Sequence, residues 1–122
     1  MKKIILFTLL LPAFAFGETF KISGETYDFT EKNGLSLHGC EKGCEALKVI
    51  ESTKKIDLTK LRKGKKFVNS TGSDSCALAY KARATIGVNS GGDQRAFCIF
   101  KDQSMVEMNS LSSYLETKNI TK

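Results

Sequence analysis

After its first seventeen residues this chain has no long apolar run, so no downstream helix is expected to span a bilayer, which takes about 20 apolar residues. Histidine is nearly missing: His38 is the single one. Its place two residues before Cys40 suggests a thiol nucleophile with a general base, but a cysteine held in a disulfide offers no thiol, and His38 reads as a turn-edge residue. No Cys-x-x-Cys is present, which argues against redox catalysis. Zinc ligands usually come in two closely spaced sets, whereas Cys76 and Cys98 stand far apart, so no metal is expected. The carboxylates, among them Asp28, Glu45, Asp57, Asp74, Asp102 and Glu107, fall on caps, turns and polar faces, with no two paired as a glycoside hydrolase pairs them. Repeats, coiled-coil heptads and low-complexity segments are absent too. The expectation is a non-enzymatic protein without a cofactor.

What the chain does have begins at its N-terminus. Lys2 and Lys3 precede an apolar run from Ile4 to Phe16, broken by Pro12, and Ala15-Phe16-Gly17 supplies small residues at a cleavage site. This three-part layout is that of a secretory signal peptide. The expected organisation is a signal peptide at 1–17 and one small exported domain at 18–122, periplasmic or secreted. No cysteine sits at the cleavage site to carry a lipid anchor. Removing Lys2 and Lys3 leaves 17 basic against 13 acidic residues, a net charge of +4 that favours anionic neighbours without naming one.

Export would bring Cys40, Cys44, Cys76 and Cys98 into an oxidising compartment. Four cysteines allow three pairings. Side chains four apart on a regular helix have Cβ atoms about 5–6 Å apart, but a disulfide wants about 3.5–4.5 Å. A Cys40–Cys44 bond therefore needs a non-helical turn, and Gly39 and Gly43 are placed to allow one. Pairing 40 with 44 and 76 with 98 is favoured, with the crossed pairings still open.

The pattern along 18–122 alternates strands and short helices. Phe20 and Ile22 alternate with polar residues, Gly24 and Asn33-Gly34 mark turns, and Leu35 and Leu37 follow. Cys44, Leu47 and Ile50 share a helical face. The stretch from Asn69 to Ser75 reads as a loop with Asp74 as the cap of an alanine-rich helix after it. Thr85 to Val88 and Arg95 to Phe100 read as strands around the turn Asn89–Asp93. The second is apolar on both faces, as a strand covered on each side would be. Met105 to Met108 reads as a further strand, a helix carrying Leu111, Tyr114 and Leu115 follows, and the tail from Lys118 is expected to fray. The fold class expected is α+β: a small antiparallel sheet of four to six strands with two or three short helices, held by disulfides.

From Ser73 to Leu115, Cys76-Ala77-Leu78-Ala79-Tyr80, Gly91-Gly92, Phe97-Cys98-Ile99-Phe100 and Asp102-Gln103-Ser104 follow one another in an order that resembles a small bacterial hemolysin-labelled domain of unknown function, a family of exported cysteine-bridged modules. The resemblance implies a bond between Cys76 and Cys98. The chain departs from the family at Gly72-Ser73-Asp74-Ser75, in lacking Gly-Gly at Arg83-Ala84, in having Gln103 where glycine is usual, and in having no tryptophan before the last helix.

One charge feature stands above background: Lys54, Lys55, Lys60, Arg62, Lys63, Lys65 and Lys66, with Ile56, Leu58 and Leu61 as apolar anchors. Such a run is commonly a solvated face. Its functional reading is a binding patch for an anionic surface or a protein partner. Aromatic residues are not interleaved there, apart from Phe67, so stacking on nucleic acid is not supported. The expected function is an exported binding module of the envelope or extracellular space. The alternative is a secreted, toxin-like effector that perturbs membranes.

Overall fold

The computed structural model describes residues 17–53, 56–63, 69–117 and 120–121. The signal-peptide expectation at 1–16, the strand expected at 67–68, and Lys54, Lys55, Lys65 and Lys66 lie outside the described residues.

Strand β1 (Glu18–Ile22) turns at Ser23-Gly24 into β2 (Glu25–Lys32), which turns at Asn33-Gly34 into β3 (Leu35–His38). The chain then leaves the sheet through helix α1 (Glu45–Ser52), the short strand β4 (Ile56–Asp57) and helix α2 (Leu58–Leu61). Helix α3 (Thr71–Asp74) runs directly into a π-helical turn at Ser75–Ala79. A second meander follows: β5 (Arg83–Val88), β6 (Gln94–Ile99) and β7 (Met105–Glu107). Helix α4 (Met108–Glu116) and strand β8 (Ile120–Thr121) complete the described chain.

The two meanders are joined on both sides. β3 pairs with β7 through Leu37↔Val106 and His38↔Met105, and β1 meets β5 at Lys21↔Val88. The order β1-β2-β3-β7-β6-β5 therefore closes on itself as an antiparallel barrel. This corrects the expected α+β architecture of a sheet flanked by helices. Strand alternation is the same in an open sheet and a closed one, so the pattern carries no signal that the first strand pairs with the fifth. Gly87 makes the closure possible. A Cβ there would lie 2.7 Å from Ile22 Cγ1 and 2.9 Å from Phe97 Cε1, so the missing side chain is the space those two fill.

Every barrel strand sends alternate side chains inward and outward. Phe20, Ile22, Phe29, Phe97, Ile99 and Met105 fill the interior. The Phe20 ring meets Phe29 and Phe97 edge-on at centroid distances of 5.7 and 5.0 Å, the arrangement that aromatic quadrupoles favour. Outward residues have two fates. On β3, β6 and β7, Leu35, Leu37, Cys98 and Val106 are covered by Leu47 and Ile50 of α1, Leu58 of α2, and Met108, Leu111 and Leu115 of α4. On β1, β2 and β5 the outward side chains face solvent, and Ile86 is 58% exposed. The two-faced apolar character of β6 is explained: Phe97 lines the barrel while Cys98 lies under the helices.

Three local expectations are also corrected. Residues 71–74 are helical, capped by Ser70, whose Oγ accepts from Ser73 N–H. Gly72 N–H donates to Ser112 Oγ at 2.7 Å, so α3 docks on α4, a long-range contact that local loop chemistry could not reveal. Asp74 is drawn to Arg62 and does not cap a helix. Ile120 and Thr121, expected to fray, pair in parallel with Ile56 and Asp57.

Candidate functional site

Both disulfides have the favoured pairing, Cys40–Cys44 and Cys76–Cys98, and no described cysteine is free. Gly39 and Gly43 take φ of +79° and +101°, the left-handed turn that the short bridge requires. The bonds are compatible with an oxidising periplasmic or extracellular compartment. His38 lies at the barrel wall. Its Nδ1 is 2.8 Å from the Asp28 carbonyl oxygen, and its ring packs on Tyr27 and Phe29. Among the described residues no group of three His, Cys, Asp or Glu side chains is placed to hold a metal ion.

Of the expected binding patch, Lys60, Arg62 and Lys63 are described, and the three differ. Lys60 and Lys63 are exposed at the end of α2. Arg62 is not available to a ligand: its Nε donates to Asp74 Oδ2 at 2.6 Å and its second guanidinium nitrogen to the Asn69 carbonyl at 3.1 Å. The two side chains are 14% and 7% exposed, and Asn69 N–H also donates to the Asp74 carboxylate. Arg62 thus braces α2 against α3. Within the apolar anchors, Ile56 and Leu58 are buried, whereas Leu61 is 38% exposed.

Leu61 and Lys60 share a groove with Ile56, Asp57, Leu78, Ala79 and Lys81. Lys81 borders a second hollow as well, a cleft of about 230 Å³ lined also by Tyr80, Arg83, Ile99, Phe100, Lys101, Gln103 and Glu45. The two hollows meet at Lys81, so Lys60, Lys81, Arg83 and Lys101 border one basic edge. Among the described residues none of these four cations is in an ion pair. Glu45 and Asp57 are the carboxylates on the two linings.

Local structure explains why the edge gathers here. The π-helical turn ends with Tyr80 N–H donating to the Ser75 carbonyl and Ala82 N–H to the Cys76 carbonyl. Lys81, at φ +57°, reverses the chain into β5. Arg83 opens β5 opposite Ile99, and Lys101 follows β6, so pairing places the ends of both strands beside the turn. Tyr80 packs its ring against Phe100 at 5.9 Å, and its hydroxyl is buried with no hydrogen-bond partner among the described residues. Burial, with Tyr114 nearby, pushes the Tyr80 phenol well above its usual pKa, so it stays neutral. Lys81, Arg83 and Lys101 give no signal in the sequence because they are scattered singly. Only the β5–β6 register and the Cys76–Cys98 bond bring them together.

Comparison of the chain with protein-family models, with curated proteins and with solved structures returned no match.

Proposed function

We propose that the chain is an exported, non-enzymatic binding module that meets an anionic polymer of the cell envelope or the extracellular space through its basic edge. The observation that carries this reading is the position of Lys81, which joins Lys60 of α2 to Arg83 and Lys101 across two adjoining hollows. Unpaired cations around a concavity raise the local concentration of an anionic partner and speed its arrival. The signal-peptide layout and the disulfides support export, and the resemblance of residues 73–115 to an exported cysteine-bridged module supports the same placement. The secreted, toxin-like alternative draws on the same export signals and on the hemolysin label of that module, and it is the basic edge that favours the binding reading. Among the described residues the large exposed apolar side chains are Leu61 and Ile86, and no described helix is long and apolar enough to cross a membrane.

The test compares two double variants with the same change in net charge. Lys60→Glu/Lys81→Glu alters the edge, whereas Lys21→Glu/Lys32→Glu alters exposed positions on β1 and β2, on the barrel's open wall. On a heparin column the edge variant should elute at about half the salt concentration of the parent protein, with the wall variant close to the parent. Equal shifts for the two would reduce the edge to net charge alone.

A further inference from the structure

We infer that the cleft beside Tyr80 is a subsite for a single acidic ring unit of an anionic saccharide chain. This rests on the polymer-binding reading above and names the chemistry of the partner. Four features of the cleft lead there. First, its volume of about 230 Å³ is below the several hundred Å³ of a pocket for a drug-sized molecule, which suits one ring and its substituents. Second, it is bordered by an arginine and two lysines without ion-pair partners among the described residues. A guanidinium fork matches a carboxylate or sulfate in a bidentate manner, and ammonium groups act as point charges beside it.

Third, Tyr80 is half-buried on the cleft lining with its hydroxyl turned into the protein. Together with Ile99 and Phe100 it gives the cleft an apolar lining beneath the cations. An apolar surface edged by positive charge complements a ring with C–H faces and anionic substituents, and Glu45 at the lining can accept from ring hydroxyls. Fourth, two non-glycine residues on the lining, Lys81 and Gln103, hold φ of +57° and +73°. Such conformations persist only where the surroundings enforce them; here they fix both chain reversals that form the cleft. A planar membrane surface does not enter a hollow of this size, and a nucleotide base, which could stack on Tyr80, becomes the competing outcome.

The oxidised chain from residue 18, labelled with ¹⁵N, is titrated with a heparin-derived disaccharide carrying a uronate and sulfates, and in parallel with maltose and AMP. Saturable amide shifts confined to residues 80–83 and 99–103 are expected with the disaccharide, and none with maltose. Arg83→Gln and Lys101→Gln should each weaken the disaccharide about tenfold, the loss of one charge-assisted contact. Lys60→Gln should leave it within about twofold. Absence of saturable shifts, an equal loss in Lys60→Gln, or tighter binding of AMP at the same amides would overturn the inference. Column retention of Lys60→Glu/Lys81→Glu separates the two levels. If the disaccharide fails while retention still responds to Lys60 and Lys81, only the subsite is lost. If neither responds, the polymer reading goes with it.

Discussion

Cys76–Cys98 and Cys40–Cys44 lie on the same helical side of the barrel and differ in almost everything else. The first joins the π-helical turn to the last residues of β6, with both cysteines buried and the partners 22 positions apart in sequence. The second joins partners four positions apart in the half-exposed loop between β3 and α1. Cys76–Cys98 is therefore a link between layers, holding the helical segment, and with it Lys81, against the barrel wall. Cys40–Cys44 shapes a turn and presents the start of α1. There Cys44 Sγ accepts from Leu47 N–H at 3.3 Å. Two side chains from the β6–β7 loop cap the same helix end. Asp102 Oδ2 accepts from Glu45 N–H at 2.8 Å, and Ser104 Oγ from Ala46 N–H at 3.0 Å. The N–H groups that a helix leaves unpaired at its start are thus met from two places. One disulfide has no substitute, and the other is backed up by a neighbouring loop.

Replacing Cys76 and Cys98 together by alanine should have the largest effect. Closing a loop of this length is worth about 3 kcal/mol in the chain-entropy treatment, and the two vacated sulfur sites lie in a packed core where voids add to the loss. A fall in Tm of about 15 °C is expected by calorimetry, together with loss of the tertiary shifts of Lys81 and Arg83. A variant that melts within a few degrees of the parent would show that packing of α3 on α4 alone holds the layers together.

Cys40→Ala/Cys44→Ala comes second. A loop this short is worth about 2 kcal/mol, and the loop caps remain, so a fall in Tm of about 10 °C or less is expected, with β6 and the basic edge unchanged. If this variant proved the less stable of the two, the ranking by burial and loop length would be wrong.

The same contrast shows how much was legible in the sequence. The β1–β2 and β2–β3 turns, the double-faced β6 and the buried face of α1 were readable, because each depends on local periodicity or on turn residues at short range, whereas the disulfide pairing was favoured with the crossed pairings still open. Barrel closure was not readable, since it rests on a single bridge between Lys21 and Val88 and on the space that Gly87 leaves for Ile22 and Phe97. Nor was the helical start at Thr71, which depends on Ser112 forty residues away. Arg62 looked like one more cation in a basic run, and only the folded position of Asp74 makes it a brace. In the site, a run of lysines is visible in sequence, whereas an edge assembled from Lys60, Lys81, Arg83 and Lys101 exists only after the strands pair.

The smallest predicted effect tests whether the β6–β7 loop really backs up the shorter disulfide. Burial acts to raise the Asp102 pKa, but hydrogen bonds from the Ser104 hydroxyl and from the Glu45 and Ser104 N–H groups outweigh it and hold the carboxyl below its ordinary value. A depressed carboxylate contributes stability that is present above the unfolded pKa of about 4 and is lost as pH falls through the lower folded value. With the disulfide intact, acidification should therefore loosen α1 only slightly, because Cys44 and the turn still hold its first residue. In Cys40→Ala/Cys44→Ala the same acidification removes the remaining charged cap, and amide protection across residues 45–50 should drop more steeply between about pH 5 and pH 2. Adding Asp102→Asn to that variant should flatten the pH dependence of those amides and leave their protection low throughout. Parallel pH profiles with and without the disulfide would mean that the two capping devices act independently, and that Cys40–Cys44 holds the turn but not the helix.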